Sequence, residues 1–181
     1  MVIQFACAKS GLILYTLDPK SAITDREASK RALHAALTLT KANILISQEA
    51  GDDVNYVNMV HEFIPELLVF DFSQGMPFVT PRFPHLRFCI QTGFDQDDKM
   101  GWLPLRHMVV PSDNLSDYVA PELITAITPL AGQFTFDDKG MPTGIKEPMT
   151  NSQVLQSGVW PTFSKILKKE YHEVEGIGVI F

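Results

Sequence analysis

The chain alternates between short apolar runs and longer segments in which apolar residues recur at helical spacing. Three runs have the length of a strand: Leu12–Leu17, Asn43–Ser47 and Phe88–Ile90. Between them, apolar residues recur every three or four positions, first in the segment that starts at Asp25 and then in the segment that stops before Pro65. This β-α-β-α-β order predicts an α/β fold with a mostly parallel sheet and crossover helices.

The segments around this core predict further elements. The Ala-rich residues Val2–Ala8 are expected to form a helix that ends near Gly11, and Thr24 or Asp25 is expected to cap the helix that follows the first strand. Residues Leu67–Phe72 are interpreted as an additional strand. Residues 105–110 fit either a strand or a short helix, and the pattern does not decide between them.

The C-terminal third continues the alternation. Gln133–Phe136 is predicted to be a strand that enters an Asp-Asp-Lys-Gly turn. Asn151–Lys169 is the longest helical candidate, and Pro161 is expected to kink or divide it. The last residues, Gly178–Phe181, are predicted to form a strand. No repeat or linker interrupts the pattern, so residues 1–181 are predicted to form a single domain.

Composition and charge exclude several classes of protein. The formal net charge is −6, and the sequence has no Lys/Arg cluster beyond Lys168-Lys169, which argues against a nucleic-acid partner because phosphate contacts need clustered positive charge. No apolar run approaches the roughly 20 residues of a transmembrane helix. Cys7 and Cys89 lie in apolar contexts and are interpreted as reduced core residues of an intracellular protein.

No metal site is predicted from the sequence. The spacing of Asp95, Asp97 and Lys99 before Gly101 is similar to a calcium loop, but Arg106 stands where the closing Glu belongs. We therefore interpret this segment as a solvated turn. The five histidines are scattered, without the paired spacing that a zinc site uses.

The segment Phe134–Gly144 carries the most specific signal in the chain, because it resembles a phosphate-binding loop. It is similar to the signature Phe/Tyr-Thr-Ser-Gly-Thr-Thr-Gly-x-Pro-Lys-Gly of the adenylate-forming superfamily, the AMP-binding acyl-CoA synthetases and their relatives. The positions that match are Phe134, Thr135, Gly140, Pro142 and Gly144. The positions that depart are Phe136, Asp137, Asp138 and Lys139, in place of Ser-Gly-Thr-Thr, and Thr143, in place of the Lys.

Three other segments resemble the same superfamily, in the same order along the chain. They are Gln4–Pro19, Tyr56–Leu67 and Arg82–Arg87. The resemblance implies that residues 1–181 form a partial acyl-CoA synthetase-like N-terminal domain. Motifs that hold adenine, ribose and the acyl group are not recognisable in the chain, nor is the C-terminal domain with its adenylating lysine.

Two functions follow from this resemblance. The first is a degenerate, truncated domain that is catalytically inactive and acts as a structural or interaction subunit of a larger assembly. Two carboxylates in the loop would repel a triphosphate, and no loop lysine would attract it. The alternative is a part of an active ATP-dependent carboxylic acid–CoA ligase, which would adenylate an acyl substrate such as a fatty acid.

The resemblance also sets the expected site, cofactors and partners. No catalytic residue is predicted, and no activity is expected from the chain alone. The vestigial nucleotide contacts would be Thr135, Gly140, Thr143 and Gly144. No cofactor is expected; ATP with Mg²⁺, and CoA, belong to the alternative. A protein partner is expected to cover exposed sheet edges. An intracellular location is expected, with the mitochondrial matrix and the cytoplasm both left open.

Overall fold

A computed structural model describes residues 2–17, 25–49, 55–93, 99–108 and 124–157. Within these ranges the helices are α1 (Val2–Ser10), α2 (Arg26–Thr40), α3 (Tyr56–Phe63), α4 (Leu105–Met108) and α5 (Asn151–Gln156). The strands are β1 (Leu14–Tyr15), β2 (Ile44–Ser47), β3 (Phe88–Gln91), β4 (Leu103–Pro104), β5 (Pro129–Phe136) and β6 (Pro142–Thr150). The fold is therefore mixed α/β, as the sequence predicted at this coarse level.

The chain divides into two compact units. One consists of Met1–Thr16, Asp117–Gln133 and Lys146–Phe181. The other consists of Leu17–Ser116 and Phe134–Ile145. We call them the terminal unit and the central unit and describe each by itself. The single domain over residues 1–181 stays a prediction.

Helix α2 of the central unit starts and stops where local chemistry requires. The side chain of Asp25 accepts a hydrogen bond from the Glu27 N–H at 2.9 Å, which confirms the predicted cap. The helix ends at Lys41, which adopts the left-handed region at φ 52° and donates its N–H to the Leu37 carbonyl at 3.1 Å. Helix α3 ends before Pro65, as predicted.

The sheet of the central unit has the order β2-β3-β4, and all of its pairs are parallel. Leu45 lies beside Cys89 and Ile90 beside Leu103. This confirms the predicted strands around residues 44 and 88 and their parallel pairing. The core contains the buried residues Leu37, Leu45, Val57, Val60, Ile64, Leu67, Phe78, Phe83, Leu86, Cys89 and Trp102.

The prediction of a strand at Leu67–Phe72 is wrong. Two short 3₁₀ segments, Pro65–Val69 and Phe72–Gln74, occupy this region instead. Leu67 is buried, whereas Val69 is 85% exposed, although a half-buried strand would place both on one face. The Phe70 N–H donates to the Leu67 carbonyl at 3.2 Å, so local turn hydrogen bonds replace ladder bonds.

The terminal unit contains a helix and a short strand from the chain start. Helix α1 ends at Ser10, directly before Gly11, whose φ is 66°, which confirms the predicted end near Gly11. Strand β1 is shorter than the predicted Leu12–Leu17, and it pairs in parallel with β5, with Tyr15 beside Gly132. The Tyr15 ring occupies the space where a side chain on Gly132 would project, so this close approach requires glycine.

Helix α5 begins with a capping box, in which Thr150 and Gln153 each bond the other's backbone N–H. This confirms the start of the helix predicted at Asn151–Lys169. Pro161 and Gly178–Phe181, together with the structures predicted for them, lie outside the described residues. The undecided segment 105–110 begins with the four-residue helix α4.

Two further features bear on environment. Cys7 and Cys89 are both buried free thiols, as their apolar contexts predicted. Among the described residues, no helix has the length and apolar character required to cross a membrane.

Candidate functional site

The candidate loop lies at the end of a β-hairpin. Strands β5 and β6 are neighbours in the sheet order β1-β5-β6, and residues 137–141 connect them. Five residues are too few for the crossover that parallel neighbours need, so the two strands form a hairpin. The predicted strand that enters a turn is therefore confirmed. The tip of the hairpin belongs to the central unit.

Asp137 holds the hairpin loop closed. Its Oδ1 accepts hydrogen bonds from the backbone N–H of Lys139 at 2.9 Å and from that of Met141 at 2.8 Å. Its carbonyl accepts from the Gly140 N–H at 3.0 Å, and its own N–H donates to the Met141 carbonyl at 3.0 Å. Gly140 has φ 74°, the left-handed conformation that this turn requires. Four backbone donors of the loop are thus satisfied within the loop.

Three of the four predicted contact residues lie close together on β5 and β6, next to the turn. The hydroxyl oxygens of Thr135 and Thr143 lie 3.2 Å apart, and the Thr143 hydroxyl also donates to the Thr135 carbonyl at 3.3 Å. A Cβ on Gly144 would lie 2.9 Å from the Thr135 hydroxyl oxygen, so this glycine allows the close approach. Gly140 is placed in the turn, where its N–H already bonds Asp137.

The charges at the hairpin tip oppose an anionic ligand. Asp137, Asp138 and Lys139 are all exposed, so two carboxylates stand beside one ammonium group. A phosphate site needs convergent N–H donors and positive charge. Here the donors point at the Asp137 carboxylate and carbonyl, and the two threonine hydroxyls bond each other. The loop therefore has the geometry of a closed hairpin turn.

The segment predicted as a solvated turn is described only in part. Asp95 and Asp97 lie outside the described residues. The Lys99 ammonium lies 2.9 Å from a carboxylate oxygen of Glu49. Gly101 is buried, with φ 71°. Among the described residues, no group of three or more His, Cys, Asp or Glu side chains is placed to hold a metal ion.

A groove on the central unit was missed at the sequence level. It consists of two hollows along α2, of about 270 Å³ beside Lys30, Arg31 and His34, and about 200 Å³ beside Lys41. We call it the α2 groove. The His34 ring of the first hollow contacts the Phe83 ring of the second, with centroids 5.1 Å apart.

Part of the α2 groove had a signal in the sequence and part did not. Lys30, Arg31 and His34 lie within one helical turn, and Lys41 follows two turns later, which the helical spacing could have shown. Arg82 and His85 reach the same groove only because the fold brings their turn against α2. The cations therefore cluster in space, although they form no run in the sequence.

No known family model matches the chain, and no curated protein matches it significantly.

Proposed function

We propose that this chain is a catalytically inactive domain that acts as a structural or interaction subunit of a larger assembly. We further propose that it derives from the adenylate-forming, acyl-CoA synthetase-like proteins. The second statement is supported by four sequence segments in the family's order. The first is supported by the hairpin, whose loop the resemblance marks as the candidate nucleotide site.

The observation that carries the proposal is that backbone N–H donors of the candidate loop already have acceptors within the loop. A nucleotide phosphate would have to displace the Asp137 carboxylate from the N–H groups of Lys139 and Met141. It would do so against the negative charges of Asp137 and Asp138, without a positive charge at Thr143. The loop chemistry therefore opposes the first step that any ATP-dependent ligase needs.

Exposed apolar surface supports an interaction role. Val69, Val79 and Met76 of the central unit are 85%, 66% and 63% exposed and are therefore accessible to a partner chain. Among the described residues each sheet has three strands, and its two outer strands have no further strand beside them. Such edges are surfaces where another chain adds strands or packs.

The first test is nucleotide binding by the purified chain. Isothermal titration with MgATP should show no saturable binding at millimolar nucleotide, because the loop donors are occupied and its carboxylates repel phosphate. A dissociation constant in the micromolar range would refute the inactive assignment. It would favour the alternative, a part of an ATP-dependent carboxylic acid–CoA ligase that uses Mg²⁺ and CoA.

The second test restores the loop chemistry. Changing Phe136, Asp137, Asp138, Lys139 and Thr143 to Ser, Gly, Thr, Thr and Lys removes the carboxylates and supplies the lysine. We expect no adenylation from this variant either, since no adenine, acyl or adenylating-lysine motif is recognisable. Pyrophosphate release that depends on an added carboxylic acid would contradict this expectation. The unmodified chain, assayed in parallel, is the control.

A further inference from the structure

The α2 groove combines positive charge with an apolar floor. The cations that line it are Lys30, Arg31, Lys41 and Arg82, and neither hollow is lined by a carboxylate. The floor is formed by aromatic and aliphatic side chains, of which Phe83 and Leu37 are almost fully buried. The groove therefore offers a surface for a ligand that carries both negative charge and apolar groups.

Two of the four cations are already neutralised. Lys30 lies 2.7 Å from a carboxylate oxygen of Glu27 and 3.3 Å from one of Glu62. Arg82 lies 3.2 Å from Glu66. Arg31 and Lys41 are exposed and form no ion pair with any described residue. They stand at opposite ends of the groove, so both ends carry uncompensated positive charge.

The aromatic part of the floor is ordered by ring contacts. The His34 ring packs edge to face with the rings of Phe63 and Phe83, with centroid distances of 6.3 Å and 5.1 Å. Phe63 and Phe83 also meet edge to face at 6.0 Å. The three rings therefore form one packed cluster beside the hollows. A large apolar side chain placed there would contact preformed walls, which lowers the entropic cost of binding.

We propose that the α2 groove binds an acidic peptide segment of a partner protein, with carboxylates on Arg31 and Lys41 and an apolar side chain between them. This inference deepens the proposed function and rests on it, because it names the surface and the chemistry of the partner. Ten positions of helix separate Arg31 from Lys41, which is about 15 Å. An extended segment of about five residues spans that distance.

Local charge favours this occupant over a membrane or a nucleic acid. Arg31 and Lys41 have no ion-pair partner among the described residues, so a carboxylate-bearing segment complements the groove even though the whole chain carries −6. A duplex or single strand needs more free cations than two. A membrane surface is flat, whereas the apolar groups here lie inside hollows.

The experiment is a selection of displayed random peptides on the intact chain, followed by affinity measurements on the recovered peptides. We expect sequences that combine Asp or Glu with Trp, Phe or Leu, and binding that weakens as salt increases. Arg31→Glu/Lys41→Glu should weaken it about tenfold or more, since each exposed ion pair contributes up to about a factor of five and reversal adds repulsion. Replacing the peptide's acidic residues by Gln should weaken it similarly.

The matched control is Lys9→Glu/Lys146→Glu, which makes the same change in net charge at two exposed lysines that do not line the groove. Its affinity should equal that of the unmodified chain. Arg31→Ala/Lys41→Ala, checked by thermal unfolding, replaces the double reversal if the latter does not fold. An empty selection, recovered peptides without acidic residues, or equal affinities for groove and control variants would overturn the proposal.

Three further probes separate the proposal from its competitors and from the proposed function. Vesicles of phosphatidylcholine with some phosphatidylserine, a single-stranded oligothymidylate and a second copy of the chain should not compete for the groove. Competition by any of them that Arg31→Glu/Lys41→Glu abolishes would overturn the assignment to a peptide. ATP binding would refute the inactive function without any change in peptide affinity, so the two failures are distinguishable.

Discussion

Removing the Asp137 carboxylate should open the hairpin loop. In Asp137→Ala the N–H groups of Lys139 and Met141 lose an acceptor that now lies at 2.9 Å and 2.8 Å. A hydrogen bond to a charged acceptor contributes about 1.5–3 kcal/mol. Asp137 is exposed, however, so water replaces part of the lost interaction. Helix caps, which have comparable exposure and the same bond type, contribute about 1 kcal/mol each. We expect the free energy of opening the loop to fall by about 1–2 kcal/mol.

Amide hydrogen exchange measured by NMR tests this expectation at the two donors. A loss of one to two kcal/mol corresponds to exchange of Lys139 and Met141 that is faster by about 5–30-fold, after correction for sequence-dependent intrinsic rates. Asp138→Ala is the matched control. It removes the same charge from an exposed neighbour whose carboxylate has no hydrogen-bond partner among the described residues. Equal acceleration in both variants would show that charge, and not the hydrogen bonds, protects these amides.

Two other predictions concern stability. Gly101→Ala should destabilise the fold by about 3 kcal/mol, because φ is 71° and the new Cβ would lie 2.8 Å from the Leu67 Cβ. Gly75→Ala has φ 70° but nothing within 4 Å, so it should lose only about 1 kcal/mol, and equal losses in urea unfolding would contradict the steric argument. Burial raises the pKa of the Cys89 thiol from 9.0 to about 12. The contribution of the neutral thiol to the free energy of unfolding is therefore fully present below pH 9 and is lost as pH rises toward 12. The loss relative to Cys89→Ala should reach about 4 kcal/mol, and identical pH profiles of unfolding for the two proteins would refute it.

The sequence predicted the elements whose ends are set by local chemistry. The cap at Asp25, the helix end near Gly11 and the stop before Pro65 each depend on a few neighbouring residues, and the structure confirms all three. The parallel pairing of β2 with β3 followed from two apolar runs separated by helical segments. Such features depend on hydrophobic periodicity and capping, which one sequence displays directly.

The features that were missed depend on tertiary context or on a single side chain. The apolar run Leu67–Phe72 suits a strand as well as a 3₁₀ segment, and its local turn hydrogen bonds together with the burial of Leu67 belong to the 3₁₀ segment. The α2 groove requires Arg82 to meet a helix more than forty residues earlier in the chain. The loop closure by Asp137 did have a signal, because Asp at the first and Gly at the fourth position favour a type I turn.

The closed hairpin and the open α2 groove assign different roles to two parts of the same unit. At the hairpin, a ligand competes with Asp137, an acceptor that the chain itself holds in place and that therefore acts at high effective concentration. Any anion would also meet the charges of Asp137 and Asp138. At the groove, Arg31 and Lys41 have no such internal competitor, and the hollows between them are open. The same electrostatic argument thus disfavours a nucleotide at the hairpin and favours a carboxylate-bearing partner along α2.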